Sequence, residues 1–152
     1  MVVGREAPFL RPAVAEYAWR LRHYAHLDIV GVAPAPWPAD PSPVEARRLL
    51  AEEAGRVRPH WRGDVRVLLA REGRALASEA VAARLGELEG KGVGSVALLV
   101  GGPGGVAAEL AREADGLWSL GPATLPHTLA EVVVLEQLYR AYRLLRGEPY
   151  HR

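Results

Sequence analysis

A chain of 152 residues that is 49% hydrophobic fits one domain over residues 1–152, since chains of ~100 to 150 residues already bury a self-supporting core. Its 19 basic and 18 acidic residues leave a formal net charge of +1, which excludes the uniformly basic surface of a general nucleic-acid coat and confines any RNA contact to a local patch. The chain has no cysteine, which excludes thiolate nucleophiles, disulfides and cysteine-ligated zinc.

No apolar run approaches the roughly 18 residues that span a bilayer, and the start of the chain lacks a basic segment followed by an apolar core and a cleavage site. A soluble cytoplasmic protein with no membrane contact is therefore expected. Met1 to Val3 reads as the stub of a strand. After a loop through Pro8, Val14, Tyr17, Ala18 and Leu21 recur at helical spacing and predict a helix over Pro12 to Tyr24. Leu27 to Val32 alternates weakly, as a strand does, and ends in Ala33-Pro34-Ala35-Pro36-Trp37-Pro38, where prolines that cannot donate ladder hydrogen bonds enforce an extended loop.

Pro43 to Glu53 is helix-compatible, with the proline tolerated in the first turn. Val65 to Ala70 is an apolar run of strand length. Ser78 is expected to cap a helix through about Leu88, which Gly92 and Gly94 then break. Val96 to Val100 is the almost uninterrupted apolar run of a strand buried on both faces. A helix from about Val106 to Ala114, a short strand at Leu117 to Leu120 and a long helix from about Thr128 to Leu145 complete the series. Strands alternating with helices predict an α/β fold, a parallel sheet flanked by helices.

In the last helix Leu129, Val132, Val133, Leu135, Leu138, Tyr139, Tyr142 and Leu145 cover more than one apolar stripe. Deep burial within the domain and a homodimer interface both account for this, and the pattern leaves the two open.

Gly101-Gly102-Pro103-Gly104-Gly105 follows a strand and precedes a helix, the setting in which glycines let backbone approach a ligand. It does not fit the dinucleotide fingerprint and no Walker lysine follows, so a tight turn and a ligand loop stand equally open. Trp118 to His127 ends a strand in two prolines and several small residues. Main-chain groups there cannot all join a ladder and are suited to the edge of an adenine. His127, by itself, reads more readily as a helix-start or packing histidine than as a catalyst. The terminal Tyr150, His151 and Arg152 place an aromatic, a titratable imidazole and an anion-binding guanidinium within three positions of a segment that would by default fray. Arg140, Arg143, Arg146 and Arg152 form a local basic end, which the helix dipole explains equally well for the first three. His23 and His26 lack the accompanying ligands of a metal site, and no metal is expected.

Leu98-Leu99-Val100-Gly101-Gly102-Pro103, Trp118-Ser119-Leu120, Thr124-Leu125-Pro126-His127, Glu136-Gln137-Leu138-Tyr139-Arg140-Ala141 and Pro149-Tyr150-His151-Arg152 run in order and at spacings that closely resemble the C-terminal half of the ribosomal RNA large subunit methyltransferase H family, of the SPOUT class. Weaker similarity reaches upstream through Leu69 to Gly73, Arg20-Leu21 and Glu16-Tyr17. The resemblance implies a single SPOUT methyltransferase domain with a deep trefoil knot, acting as a homodimer. It implies transfer of a methyl group from S-adenosyl-L-methionine to N3 of a pseudouridine in helix 69 of 23S rRNA, on the assembled ribosome.

Carried over by position, Leu69, Gly101, Leu120, Gly121, Pro122, Ala123, Thr124 and Leu125 resemble the cofactor-binding elements, which hold adenosine by main-chain contacts. Tyr150 and Arg152 resemble the tail residues that complete the active site across the dimer interface. For that reaction Arg152 would stabilise the negative charge left when N3 loses its proton, and His127 or His151 would assist the deprotonation. Such a displacement requires neither metal nor covalent intermediate. The sequence departs from the family at Ala70, where an aspartate is usual, and at Glu131, where an arginine is usual. A SPOUT enzyme with another RNA target, a catalytically inert ribosome-binding dimer and a small nucleotide-binding module remain competing readings.

Overall fold

The computed structural model describes residues 1–4 and 7–149. Its strands are β1 (Val2–Val3), β2 (Gly31–Val32), β3 (Val65–Ala75), β4 (Val96–Val100) and β5 (Gly116–Ser119). Its helices are α1 (Arg11–Leu21), entered through a 3₁₀ turn at Pro8–Leu10, α2 (Pro43–Val57), α3 (Ser78–Gly90), α4 (Ala108–Glu113) and α5 (His127–Leu145). The strands form one sheet in the order β2-β1-β4-β3-β5, and each pairing is parallel. This is the α/β architecture that the alternation of periodicities predicts. Among the described residues no helix is long and apolar enough to cross a membrane.

Alternation along the central strands fixes the two layers. Leu68 and Leu99 lie opposite each other in register and are buried with Val57, Ala54 and Leu110 under α2 and α4. Their neighbours Val67, Leu69 and Leu98 point to the other face, toward Val81, Ala82, Val134 and Ala141 of α3 and α5, as a period of two requires. Leu49, Leu99 and Leu110 are 0%, 0% and 1% exposed, and each contributes about 1.5 to 3 kcal/mol of transfer free energy. Ser42 caps α2 by accepting from the Glu45 amide at 3.2 Å.

The elements differ from expectation where tertiary contacts outweigh local pattern. β2 retains only the last two residues of the Leu27 to Val32 run, because its sole neighbour is the equally short β1. β3 continues past Ala70 to Ala75: its pairing with β5 is interrupted after Leu69 and resumes at Arg74. α2 runs on to Val57, since Ala54 and Val57 extend the stripe that Leu49 begins. Ser78 is not a cap. The cap is Ala77, and the Ser78 hydroxyl instead donates to Gln137 Oε1 on α5 at 2.8 Å. Val96 is 40% exposed, so the two-faced burial expected of β4 holds only toward its end, at Leu99 and Val100.

Much of the second apolar face of α5 is taken up within the chain. Tyr24 of the α1 segment stacks on Tyr142 with ring centroids 5.5 Å apart, and both Tyr17 and Tyr24 lie against Tyr139. Every residue from 130 to 143 is buried or half-buried, whereas Leu129 and Leu144 are each 38% exposed.

Candidate functional site

Three parallel strands deliver the candidate residues to one edge of the sheet. Leu69 is the hinge of this arrangement, pairing in register with Val100 on β4 and with Trp118 on β5. Gly101 is the next residue after Val100, and Leu120 lies two beyond Trp118, so the chain leaves β4 and β5 at the same level on either side of β3. Leu69, Leu120 and Leu125 then pack together around Val2, Val100 and Ala130. Pro122, Ala123 and Thr124, between them, are exposed. Loops at the carboxyl ends of parallel strands are where open α/β sheets bind ligands. Ala70, beside Leu69, packs against the core under α2, so the departure there is an apolar contact.

The glycine segment is a tight turn in which the Gly105 amide donates to Gly102 O at 3.0 Å. A Cβ built on Gly101 would fall 2.5 Å from Val106 Cγ2. The turn is braced from outside by a buried charge. Glu53, 3% exposed, accepts from the Ala35 amide and from Trp37 Nε1, both at 2.8 Å, through the same carboxylate oxygen. The indole so held lies flat enough against Gly104 that an added Cβ would sit 2.1 Å from its ring. The proline-rich run that predicts only an extended loop thus carries the residue that seats the glycine turn.

His127 is the first residue of α5. Its Nε2 would lie 2.1 Å from a Cβ on Gly4, the residue that follows β1. The helix-start placement matches the simpler reading of this histidine, and the same placement brings it to the edge where β1, β4 and β5 end. Gly4 itself is tied to the sheet by donating to Val32 O at 3.0 Å.

At the other end of α5 the chain does not fray by residue 149. Glu148 N donates to Arg143 O at 2.9 Å and Gly147 N to Leu144 O at 3.1 Å, with Gly147 at φ +67. This double closure is the Schellman arrangement, which needs a residue tolerant of the left-handed region. Tyr24 donates to Glu148 Oε2 at 2.6 Å, Arg143 pairs with the same carboxylate at 2.7 Å, and Arg143 also donates to Pro149 O at 2.6 Å. Burial, followed by the hydrogen bond to Glu148, raises the Tyr24 phenol above its ordinary value. Tyr150, His151 and Arg152 lie outside the described residues.

The basic end expected of α5 is largely engaged within the chain. Arg140 pairs with Glu136 at 2.6 Å, Arg143 with Glu148, and Arg146 approaches Glu89 at 3.5 Å. The i, i+4 spacing of Glu136 and Arg140 was a legible signal for the first pair, whereas Glu89 is recruited from α3 and leaves no local trace. A cleft of about 800 Å³ opens between the sheet, α3 and α5 and is walled by Leu85, Leu88, Leu98, Leu138 and Tyr142. None of Leu69, Gly101 or residues 120–125 lines it. His26 lies 3.4 Å from Asp28 on the surface.

Comparison with known proteins places this geometry in a family. The profile of a family described as "Predicted SPOUT methyltransferase" matches residues 1–151. The ribosomal RNA large subunit methyltransferase H of Bifidobacterium adolescentis is 41% identical, covering 100% of this chain and 97% of that protein. The protein of the same name from Rubrobacter xylanophilus is 42% identical over 99% of this chain and 95% of its own length. That of Streptococcus equi subsp. zooepidemicus is 37% identical over 95% and 91%.

Proposed function

Since the chain belongs to the SPOUT methyltransferase family, we propose that it is a large-subunit rRNA methyltransferase that methylates N3 of a pseudouridine in helix 69 of 23S rRNA on the assembled ribosome, with S-adenosyl-L-methionine as donor. The observation that carries this reading is the convergence of Leu69, Gly101 and the loop from Leu120 to Leu125 at one sheet edge. The resident apolar cluster and the exposed residues 122–124 suit a nucleoside that is recognised by its edge and packed on its face.

The donor, when bound, supplies an electrophilic methyl group on a sulfonium. The chain's own part is alignment and charge. Main-chain groups from Leu120 to Leu125 would hold the adenine, Leu69 would pack against it, and Gly101, at the start of the glycine turn, would contribute main chain to the cofactor site. His127 or His151 would take the N3 proton, and Arg152 would hold the negative charge shared with the flanking carbonyl oxygens. The proposal includes the trefoil knot of the SPOUT fold, a homodimer in which Tyr150 and Arg152 of one copy complete the site of the other, and cytoplasmic location.

Incubating purified protein with radiolabelled S-adenosylmethionine and intact ribosomes or separated subunits, then mapping the labelled nucleotide, tests the target. Label at N3 of a helix 69 pseudouridine supports it, and label elsewhere points to another RNA. Arg152→Ala is expected to lower turnover by about 10²-fold while cofactor binding measured by calorimetry stays near that of the wild type. Failure of the wild-type chain to bind the cofactor at all would leave only an inert ribosome-binding role.

A further inference from the structure

Phe9, 80% exposed, and Trp19, 51% exposed, are the only exposed Phe, Trp or Tyr side chains among the described residues. Both belong to the α1 segment. A single exposed apolar residue is ordinary, but the surroundings of Trp19 are not those of a stray. The Arg22 guanidinium lies over its ring at 4.8 Å, and the His23 imidazole meets it edge-on at 5.5 Å and 88°. Glu16, the acid on this side of the helix, is matched by Arg20 at 2.7 Å, so the face carries no net negative charge.

At 100° per residue, Arg11, Trp19 and Arg22 fall within one ~80° sector. Leu21 and Tyr17, which face the body of the protein, fall opposite. Phe9 sits in the 3₁₀ turn that begins five residues after β1, whose end lies at the sheet edge from which Gly101 and the β5–α5 loop emerge. The face therefore leads away from the candidate active site for about 20 Å at 1.5 Å per residue.

We propose that this face of α1 is an RNA-docking surface, on which Trp19 and Phe9 stack unpaired bases next to the target nucleotide while Arg22 contacts phosphate. The inference rests on the rRNA methyltransferase reading and says where the substrate lies. Aromatic rings and arginine planes are the means by which proteins hold splayed-out bases, and a cation beside them supplies the electrostatic attraction. The arginines of α5, the alternative source of that attraction, are occupied by Glu136, Glu148 and Glu89. A cationic, aromatic face complements an anionic polymer better than it complements a second copy of itself.

The test compares wild type, Phe9→Ala, Trp19→Ala, Trp19→Phe and Arg22→Ala. Ribosome affinity is measured by filter binding at several salt concentrations, methyl transfer as separate kcat and KM, cofactor affinity by calorimetry, and assembly by sedimentation. Trp19→Ala and Arg22→Ala are expected to weaken ribosome binding and raise KM about tenfold, the loss typical of one stacked base. The kcat, cofactor affinity and sedimentation should stay at wild-type values, Trp19→Phe should restore most of the affinity, and Arg22→Ala should flatten the salt dependence. Unchanged ribosome affinity in both Trp19→Ala and Arg22→Ala overturns the proposal, as does a changed sedimentation coefficient, which would mark the face as an interface between copies. If the wild-type chain binds ribosomes through Trp19 and transfers no methyl group, the docking surface stands and the enzymatic reading falls.

Discussion

The imidazole of His127 lies against the Cα of Gly4, so the first residue of the last helix is seated on the end of the first strand. Nothing larger than hydrogen fits at position 4 while that ring keeps its place, and Gly4 adopts φ +153 there.

Gly4→Ala is expected to destabilise the protein by about 1 to 3 kcal/mol, the usual cost of forcing extra atoms into a packed site. Replacing His127 by alanine removes the obstructing ring, so Gly4→Ala/His127→Ala should recover part of that loss. Urea unfolding of the two single variants and the double variant measures the coupling. Additive effects would show that the two residues do not share the space.

Gly147 permits the turn that hands the chain from α5 to its tail. Gly147→Ala is expected to cost about 1 to 2 kcal/mol for the left-handed backbone. Since Tyr150 and Arg152, proposed above to complete the active site, follow this turn in sequence, the variant should lose turnover while cofactor affinity holds. Calorimetry and single-turnover methylation separate the two. A parallel loss of both would place the effect on the fold as a whole.

Trp37, in the loop before α2, and Glu53, on α2, act directly on the glycine turn. Trp37→Ala is expected to destabilise by about 3 to 5 kcal/mol and to weaken cofactor binding. Trp37→Phe keeps a ring over Gly104 and forfeits one charge-assisted hydrogen bond, about 1.5 to 3 kcal/mol, so its cofactor affinity should stay closer to wild type. Equal cofactor affinities for the two variants would show that the ring does not brace the turn.

The Tyr24 phenol is raised above its ordinary value, chiefly by burial and then by its hydrogen bond to Glu148. A raised folded-state value means that Tyr24 adds stability in full below the unfolded tyrosine value of about 10, and that this is lost as pH climbs through the folded value. The difference in stability between wild type and Tyr24→Phe should therefore be flat through neutrality and shrink only in alkaline solution. Ultraviolet titration of the two proteins locates the midpoint, and a Tyr24 transition at or below the free value would contradict the clamp.

How much of this was legible beforehand depended on the range of the interaction. The run Val96 to Val100 and the spacing of Val14, Tyr17, Ala18 and Leu21 announced a strand and a helix because each is a periodicity of adjacent residues. The turn of Gly101 to Gly105 was visible as a turn, but not the tryptophan that holds it, since Trp37 stands some sixty-five residues earlier in a stretch that displays only prolines. The arginines of α5 read as a basic end, and the structure pairs the first three of them, Arg140, Arg143 and Arg146, with carboxylates. Trp19 and Arg22 passed as members of an ordinary helix, since which side of α1 is covered depends on where α5 packs.

By itself the sequence determined the α/β alternation, the positions of most helices and strands, and the ordered set of motifs that identifies the family. All of these are properties of neighbouring residues, or of their order along the chain. Tertiary structure alone decided that Leu69 stands between Val100 and Trp118, that His127 rests on Gly4 and that Tyr24 holds Glu148. Strand register and long-range side-chain pairing are chosen by the folding of the whole chain, which buries each apolar face against whichever distant segment fits it, and no local pattern encodes that partner.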